Sequence, residues 1–152
     1  MDIAQSLISA ISGLAGVFLG GWLTFRNAGK EKLIDLRRNA YGEILFELLE
    51  VEKVLDTAAE CIAEGGWDRY FNSDVSNKHS EQLSTHMSKI EKRLSGDYLI
   101  ISDEFRSLYD VFRTERQASD DVPFYEEDDT FELALKKHRP LLLAQARKEV
   151  TR

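Results

Sequence analysis

A long uncharged stretch at the N-terminus constrains this chain more than any other feature. No charged side chain occurs from Ile3 to Phe25, a run of 23 residues. As an α-helix this run would rise roughly 34 Å, which exceeds the thickness of about 30 Å of a hydrocarbon core. The stretch therefore predicts a transmembrane helix.

Basic residues follow the apolar stretch on its C-terminal side only, because Met1 and Asp2 alone precede it. Short segments rich in lysine and arginine stay on the cytoplasmic side of a membrane. We therefore expect a single-pass bacterial inner-membrane protein with its N-terminus outside and its C-terminal domain in the cytosol. The residues expected to contact anionic lipid at the membrane surface are Arg26, Lys30, Lys32, Arg37 and Arg38.

The apolar stretch has two other interpretations, a signal peptide and a buried helix. A secretory signal peptide needs a positive start, a shorter apolar core and a small-residue cleavage site. Here the start is acidic and the apolar run is too long, so that interpretation is set aside. The alternative that stays open is a hydrophobic helix that packs inside a soluble assembly.

Small and polar residues share one face of the predicted transmembrane helix. Close backbone approach and interhelical hydrogen bonds drive helix association in lipid. The face therefore predicts a homo-oligomer, although glycine and serine are also common in spanning helices, and a ring of many copies could instead turn it toward a water-filled lumen. The residues of this predicted oligomerisation seam are Gln5, Ser9, Ser12, Gly16 and Gly20.

The rest of the chain predicts helices only. Two prolines occur, and no stretch alternates apolar and polar residues with period two. We predict an all-α protein, with a transmembrane anchor and juxtamembrane link at 1–29 and an antiparallel cytosolic bundle of about four helices at 30–152. The expected bundle helices cover roughly 30–64, 76–94, 103–117 and 130–150, with a loop at 118–129. Their expected apolar faces include Tyr41, Ile44, Leu48, Val51, Leu55, Ala58, Ile62, Leu83, Met87, Ile90, Leu94, Ile101, Phe105, Leu108, Tyr109, Phe112, Phe131, Ala134, Leu135, His138, Leu142 and Ala146.

Charge and cysteine content exclude several classes of protein. The formal net charge is −7, and two basic blocks at 26–41 and 136–152 flank an acidic middle. An acidic body argues against nucleic acid as a partner, because phosphate contacts need a basic face. The single cysteine, Cys61, excludes an internal disulfide and is expected to be a buried structural thiol.

No pattern of side chains predicts catalysis, a metal or a cofactor. His79 and His86 are two turns apart, which is too far for a zinc pair on one helix, and His138 is expected to be a core histidine that donates to a carbonyl. The acids of the 118–129 loop lack the ligand spacing of a calcium site. Phosphate-binding glycine loops and hydrolase motifs are absent from the sequence. We therefore expect a non-enzyme.

The C-terminal basic residues and three aromatic residues have open interpretations. The basic residues fit a solvated helix face, or a site for a ligand phosphate or an acidic neighbour. Trp67, Tyr70 and Phe71 fit an apolar cap on the bundle, or a stacking platform for a base or a partner.

Two segments carry a resemblance to known proteins. The stretch Arg38-Asn39-Ala40-Tyr41 and the line YLIISDEFRSLYDVF at 98–112 are similar to segments of small bacterial single-pass membrane proteins with a cytosolic helical bundle. In architecture the chain also resembles the accessory membrane pore protein of type VI CRISPR systems. No arginine precedes a histidine by five to seven positions, so the resemblance does not imply the RNase chemistry of HEPN domains.

These features together predict an oligomeric membrane protein. Its cytosolic bundle is expected to sense a cytosolic protein or a small-molecule signal and to alter membrane permeability, with antiviral defence as the setting that the resemblance implies. The alternative is a monomeric, membrane-tethered binding module that recruits a cytosolic partner.

Overall fold

The described backbone forms five α-helices. The structure is a computed structural model that describes the backbone of residues 3–117 and 124–151, and the side chains of residues 21–22, 24, 26, 28–117 and 130–151. No strand occurs in the described backbone, which confirms the predicted all-α class. The helices are α1 (Ile3–Gly65), α2 (Trp67–Phe71), α3 (Asp74–Gly96), α4 (Asp103–Gln117) and α5 (Phe124–Val150).

The predicted inner-membrane localisation is wrong. Within the described part of the chain, no helix combines the length and the apolar character that crossing a membrane requires. The helix that contains the predicted anchor is α1, which the structure assigns from Ile3 to Gly65.

Contacts between Cα atoms group the chain into two compact units, Met1–Leu36 and Arg37–Arg152. The domain boundary expected after residue 29 stays a prediction. In the first unit, the guanidinium of Arg26 lies over the Trp22 ring, 5.4 Å from its centroid. Residues 27–29 are helical.

The second unit is a helical bundle, as predicted. Ion pairs give the directions of its helices: Glu47 of α1 contacts Lys89 of α3, whereas Glu43 contacts Arg93. Rising residue numbers on α1 therefore meet falling numbers on α3, so the two helices are antiparallel. The predicted apolar stripes form the core, and all of their residues are buried except the half-buried Ile62, Leu83, Leu94 and Leu108.

One buried carboxylate joins three helices at the end of the bundle. Glu149 of α5 accepts hydrogen bonds from the hydroxyls of Tyr41 and Ser102, each at 2.5 Å. The Gln145 amide donates to it at 2.7 Å, and an Arg37 guanidinium nitrogen lies 3.4 Å from it. Burial would raise the pKa of the Glu149 carboxyl, but these donors and the Arg37 charge hold that pKa below its usual value.

The start of α4 depends on the same cluster. Ser102 caps this helix, because its hydroxyl accepts a hydrogen bond from the backbone N–H of Phe105 at 3.1 Å. The backbone N–H of Ser102 donates to the Tyr41 hydroxyl at 3.1 Å. The Tyr41 ring stacks on the Phe105 ring with centroids 4.5 Å apart. The predicted corner at 98–112 is therefore fixed to α1 by both polar and apolar contacts.

Two helix boundaries differ from the prediction. The segment between the helices expected at 30–64 and 76–94 contains the short helix α2. Gly66 separates α2 from α1, and its φ is positive, at 77°. The last helix begins at Phe124 rather than near residue 130. Acidic residues are favourable in the first turns of a helix, so the acids at 126–129 support a helix where a loop was expected.

Candidate functional site

An open groove of about 630 Å³ lies between α1 and α3. We call it the α1–α3 groove. Ligand sites of proteins occupy about 300–1,000 Å³ and combine an apolar surface with a few placed polar groups. The groove is lined by Gly42, Glu43, Ile44, Phe46, Glu47, Lys89, Ile90, Lys92, Arg93 and Gly96.

The floor of the groove is apolar and one aromatic ring stands beside it. Ile44 and Ile90 are fully buried members of the core. Phe46 lines the groove but is 56% exposed, so most of its ring faces solvent. An exposed phenylalanine alone is ordinary. Next to an apolar floor, it gives a ligand an apolar surface to cover.

Gly42, in the middle of α1, lines the groove. Glycine costs a helix about 1 kcal/mol relative to alanine, so its presence at Gly42 needs a reason. Close packing is not that reason, because a Cβ added at Gly42 would meet nothing within 4 Å among the described residues. The same holds for Gly96 at the end of α3. Both glycines line the groove and leave open space beside their backbones.

Ion pairs connect the α1 side of the rim to the α3 side. Arg93 contacts Glu43 twice, through Nε at 3.1 Å and through Nη2 at 3.3 Å. Its Nε also lies 2.7 Å from Oδ2 of Asp97. Pairs this exposed contribute about 0–1 kcal/mol each, so they position the side chains more than they stabilise the bundle.

A second set of contacts surrounds Glu47. The Nδ1 atom of His86 lies 2.5 Å from Oε2 of Glu47, and Lys89 donates to Oε1 at 3.3 Å. Because an ionised carboxylate only accepts hydrogen bonds, His86 donates through Nδ1. The Glu47 carboxylate is therefore contacted by two side chains of α3, of which Lys89 carries a positive charge.

One cation of the rim has no such compensation. Lys92 is exposed, and the described residues offer it no ion pair. The groove therefore combines an apolar floor, acids that are already paired, and an uncompensated positive charge at Lys92.

Each of the three histidines has a polar side-chain contact. Nδ1 of the buried His79 lies 2.9 Å from the Tyr70 hydroxyl, and burial lowers the pKa of this imidazole. His138 was expected to donate to a carbonyl, but its Nε2 contacts the Glu115 carboxylate at 2.8 Å. Within the described part of the chain, no three His, Cys, Asp or Glu residues converge as metal ligands would.

The predicted oligomerisation seam lies outside the described side chains. Its residues are Gln5, Ser9, Ser12, Gly16 and Gly20, of which the structure describes the backbone only. Of the five basic residues expected at a membrane surface, Arg37 lies inside the bundle instead, where its Nε donates to the carbonyl of Ile100 at 2.8 Å. Arg26, Lys30, Lys32 and Arg38 are exposed.

The remaining candidates from the sequence are Cys61, the acids of the expected loop, the aromatic residues after α1 and the C-terminal basic block. Cys61 is a half-buried free thiol, and Asp120 and Asp121 lie outside the described residues. Trp67 and Phe71 stack with centroids 5.6 Å apart. In the C-terminal basic block, Lys137 pairs with Glu115 at 2.7 Å, and Arg139 with Glu52 at 2.8 Å.

Sequence reasoning missed the α1–α3 groove. A groove is formed by residues from two helices that are far apart in sequence, and periodicity does not reveal which exposed faces lie side by side. The available signal was Gly42, an isolated glycine inside a strongly periodic helix, where such a residue usually has a packing or functional reason.

No protein-family model, curated protein or solved structure matches this chain. The resemblance to small bacterial membrane proteins therefore stays a prediction, and function has to be argued from the groove itself.

Proposed function

We propose that this protein is a binding module that takes a small amphipathic anion in the α1–α3 groove. The observation that carries the proposal is the groove of about 630 Å³, with an apolar floor and a charged rim, where Gly42 leaves open space beside the backbone of α1. This function retains the predicted sensing of a small molecule by the bundle. It does not include the predicted change in membrane permeability, which required a spanning helix.

The composition of the groove selects the ligand class. Burying the exposed face of Phe46 against an apolar ligand is favourable by about 25 cal/mol per Å² of apolar surface removed from water. Lys92 has no anionic partner among the described residues, so a carboxylate, sulfonate or phosphate at the end of the ligand would supply one. The acids Glu43 and Glu47 contribute less repulsion, because cations of α3 already contact them.

The groove supports binding better than catalysis. The arrangement that most resembles a catalytic pair is the contact between Glu47, which lines the groove, and His86 beside it. A nucleophilic mechanism also needs a hydroxyl or thiol beside the base. The described residues that line the groove include no serine, threonine, cysteine or tyrosine.

Filling the groove with a side chain tests the proposal. The probe is 8-anilinonaphthalene-1-sulfonate, whose aromatic body and sulfonate match the proposed ligand class, titrated by fluorescence against the full-length protein. The variant Gly42→Leu places an isobutyl group in the groove without a described clash. We expect it to weaken binding at least about tenfold, which corresponds to about 1.4 kcal/mol.

The matched control is Gly29→Leu. Gly29 is also an exposed helical glycine around which the described residues leave 4 Å of open space, but it lies outside the groove. Both variants gain a similar helix propensity, so only the effect on the groove differs. Unchanged affinity in Gly29→Leu with a loss in Gly42→Leu supports the proposal. Equal affinities in both variants and the natural protein, or no saturable binding at all, overturn it.

The same position makes a prediction about stability. Gly42→Ala adds a methyl group that contacts no described residue, and it reduces the conformational freedom of the unfolded chain. We expect the free energy of unfolding to rise by about 0.5–1 kcal/mol. Urea denaturation followed by circular dichroism measures this change. A decrease would mean that Gly42 is required by the fold rather than by the groove.

A further inference from the structure

A second pocket lies between the C-terminal end of α3 and α4. It has a volume of about 230 Å³, and we call it the α3–α4 pocket. It shares no lining residue with the α1–α3 groove. Much of its wall comes from the segment 98–112, through Tyr98, Arg106, Tyr109 and Asp110.

Two buried donors of this pocket have no described partner. The Tyr109 residue is only 2% exposed, and within the described part of the chain its hydroxyl makes no hydrogen bond. The same is true of Nε of Arg106. A buried donor without a partner is unfavourable, and such groups are rare in folded proteins. The two residues are three apart on α4, so they lie on the same face of the helix.

Other contacts fix the Arg106 side chain. Its guanidinium lies over the Tyr98 ring, 3.6 Å from the centroid, and its Nη2 donates to the carbonyl of Ile101 at 2.7 Å. These contacts hold the side chain in place while leaving Nε–H without a described acceptor. An arginine fixed in this way is preorganised to bind an oxyanion through a charge-assisted hydrogen bond.

The pocket also contains acidic groups, which limits the class of ligand. Asp110 is paired with Arg113 at 3.4 Å, so those two charges compensate each other. Glu91 is exposed and has no described ion pair. Burial first, and then the nearby Glu91 charge, raise the pKa of the Tyr109 phenol to about 12, so this hydroxyl stays protonated and can donate.

We propose that the α3–α4 pocket binds a small α-amino acid. Its carboxylate would accept hydrogen bonds from Arg106 Nε and the Tyr109 hydroxyl, and its ammonium group would pair with Glu91. A ligand with one negative and one positive group matches the two uncompensated charges of the pocket. The volume of about 230 Å³ is below that of most sites for drug-sized molecules, which favours a ligand of this size.

Binding of single L-amino acids to the full-length protein tests this proposal. Each is titrated separately, with binding measured by isothermal titration calorimetry and by the shift in thermal unfolding. Propionate and propylamine serve as ligands that carry only one of the two charges. We expect at least one small amino acid to bind, and we expect both single-charge compounds to bind at least about tenfold more weakly.

Two variants locate the site. Tyr109→Phe removes only the hydroxyl, and replacing a buried donor that lacks a partner by an apolar group is close to neutral for stability. Glu91→Gln removes the proposed partner of the ammonium group. We expect each variant to weaken amino-acid binding about tenfold. The control Glu81→Gln changes an exposed acid of α3 that does not line the pocket, and it should bind like the natural protein.

Three results would overturn the proposal. The first is that no amino acid binds, which would leave the two donors without a ligand partner. The second is that propionate binds as tightly as the amino acid, which would make the site one for simple carboxylates. The third is that Tyr109→Phe and Glu91→Gln bind like the Glu81→Gln control, which would place the ligand elsewhere on the chain.

Discussion

Replacing Glu149 by alanine is expected to lower the free energy of unfolding by about 3 kcal/mol. The carboxylate accepts hydrogen bonds from Tyr41, Ser102 and Gln145. Its removal leaves the buried Tyr41 hydroxyl without its acceptor and weakens the N-terminal cap of α4. Urea denaturation, followed by circular dichroism in the aromatic region, measures the loss.

The control for this variant is Lys148→Ala. Lys148 is the neighbouring residue on α5 and is exposed, so its replacement should change the unfolding free energy by less than about 0.5 kcal/mol. If Glu149→Ala is no more destabilising than Lys148→Ala, the cluster does not hold the end of the bundle together.

The Glu149 cluster also predicts how stability depends on pH. The hydrogen bonds and the Arg37 charge lower the pKa of Glu149 in the folded protein, despite its burial. A lowered carboxyl pKa adds stability that is fully present above the unfolded value of about 4.3 and is lost as the pH falls through the folded value. The stability difference between the natural protein and Glu149→Gln should therefore shrink in acid. A difference that is constant with pH would contradict the assignment.

Replacing Phe112 by alanine should have a larger effect, a loss of about 4 kcal/mol. Phe112 is fully buried. Its ring lies near Tyr109 of its own helix, with centroids 5.7 Å apart, and near Phe131 and His138 of α5, each with centroids 6.2 Å away. Truncation removes the contacts of the Phe112 ring with α5 and leaves a cavity that surrounding residues fill only in part.

The neighbouring residue Val111 supplies a matched comparison. Val111 lies on the same helix but is 48% exposed, so Val111→Ala should cost less than about 1 kcal/mol. The same denaturation experiment measures both variants. Equal losses would show that the apolar face of α4 does not form the core.

The bundle was predictable because it depends on local signals. The spacing of Tyr41, Ile44 and Leu48 reports which face of one helix avoids water, and these residues are buried as expected. The N-cap residue Ser102 is also a local signal for the start of α4, because capping involves only the next few residues. Such signals do not depend on where the other helices lie.

The membrane prediction was based on the length and composition of one uncharged segment. A count of apolar residues gives the length of a hydrophobic run, but the element to which it belongs is α1, which continues through charged residues to Gly65. Hydrophobicity over a window therefore indicated an anchor that the described part of the chain does not support.

The site was not predictable because it depends on pairs of residues distant in sequence. Glu47 and His86 are 39 positions apart, and Tyr41 and Glu149 are 108 positions apart. Sequence identified Tyr41 as apolar core but not its hydroxyl as a donor to a buried carboxylate. Sequence also does not show whether a buried polar group, such as the Tyr109 hydroxyl, has a hydrogen-bond partner, because that partner can come from any helix.

Contacts between a bound probe and the α1–α3 groove test the central claim most directly. Nuclear Overhauser effects between 8-anilinonaphthalene-1-sulfonate and the full-length protein report which protons lie close to the ligand. We predict effects from the naphthalene ring to the Phe46 ring and the Ile90 methyl groups, and their disappearance in Gly42→Leu. A bound probe whose effects map to other residues, with none to Phe46 or Ile90, would contradict the assignment of the groove as the binding site.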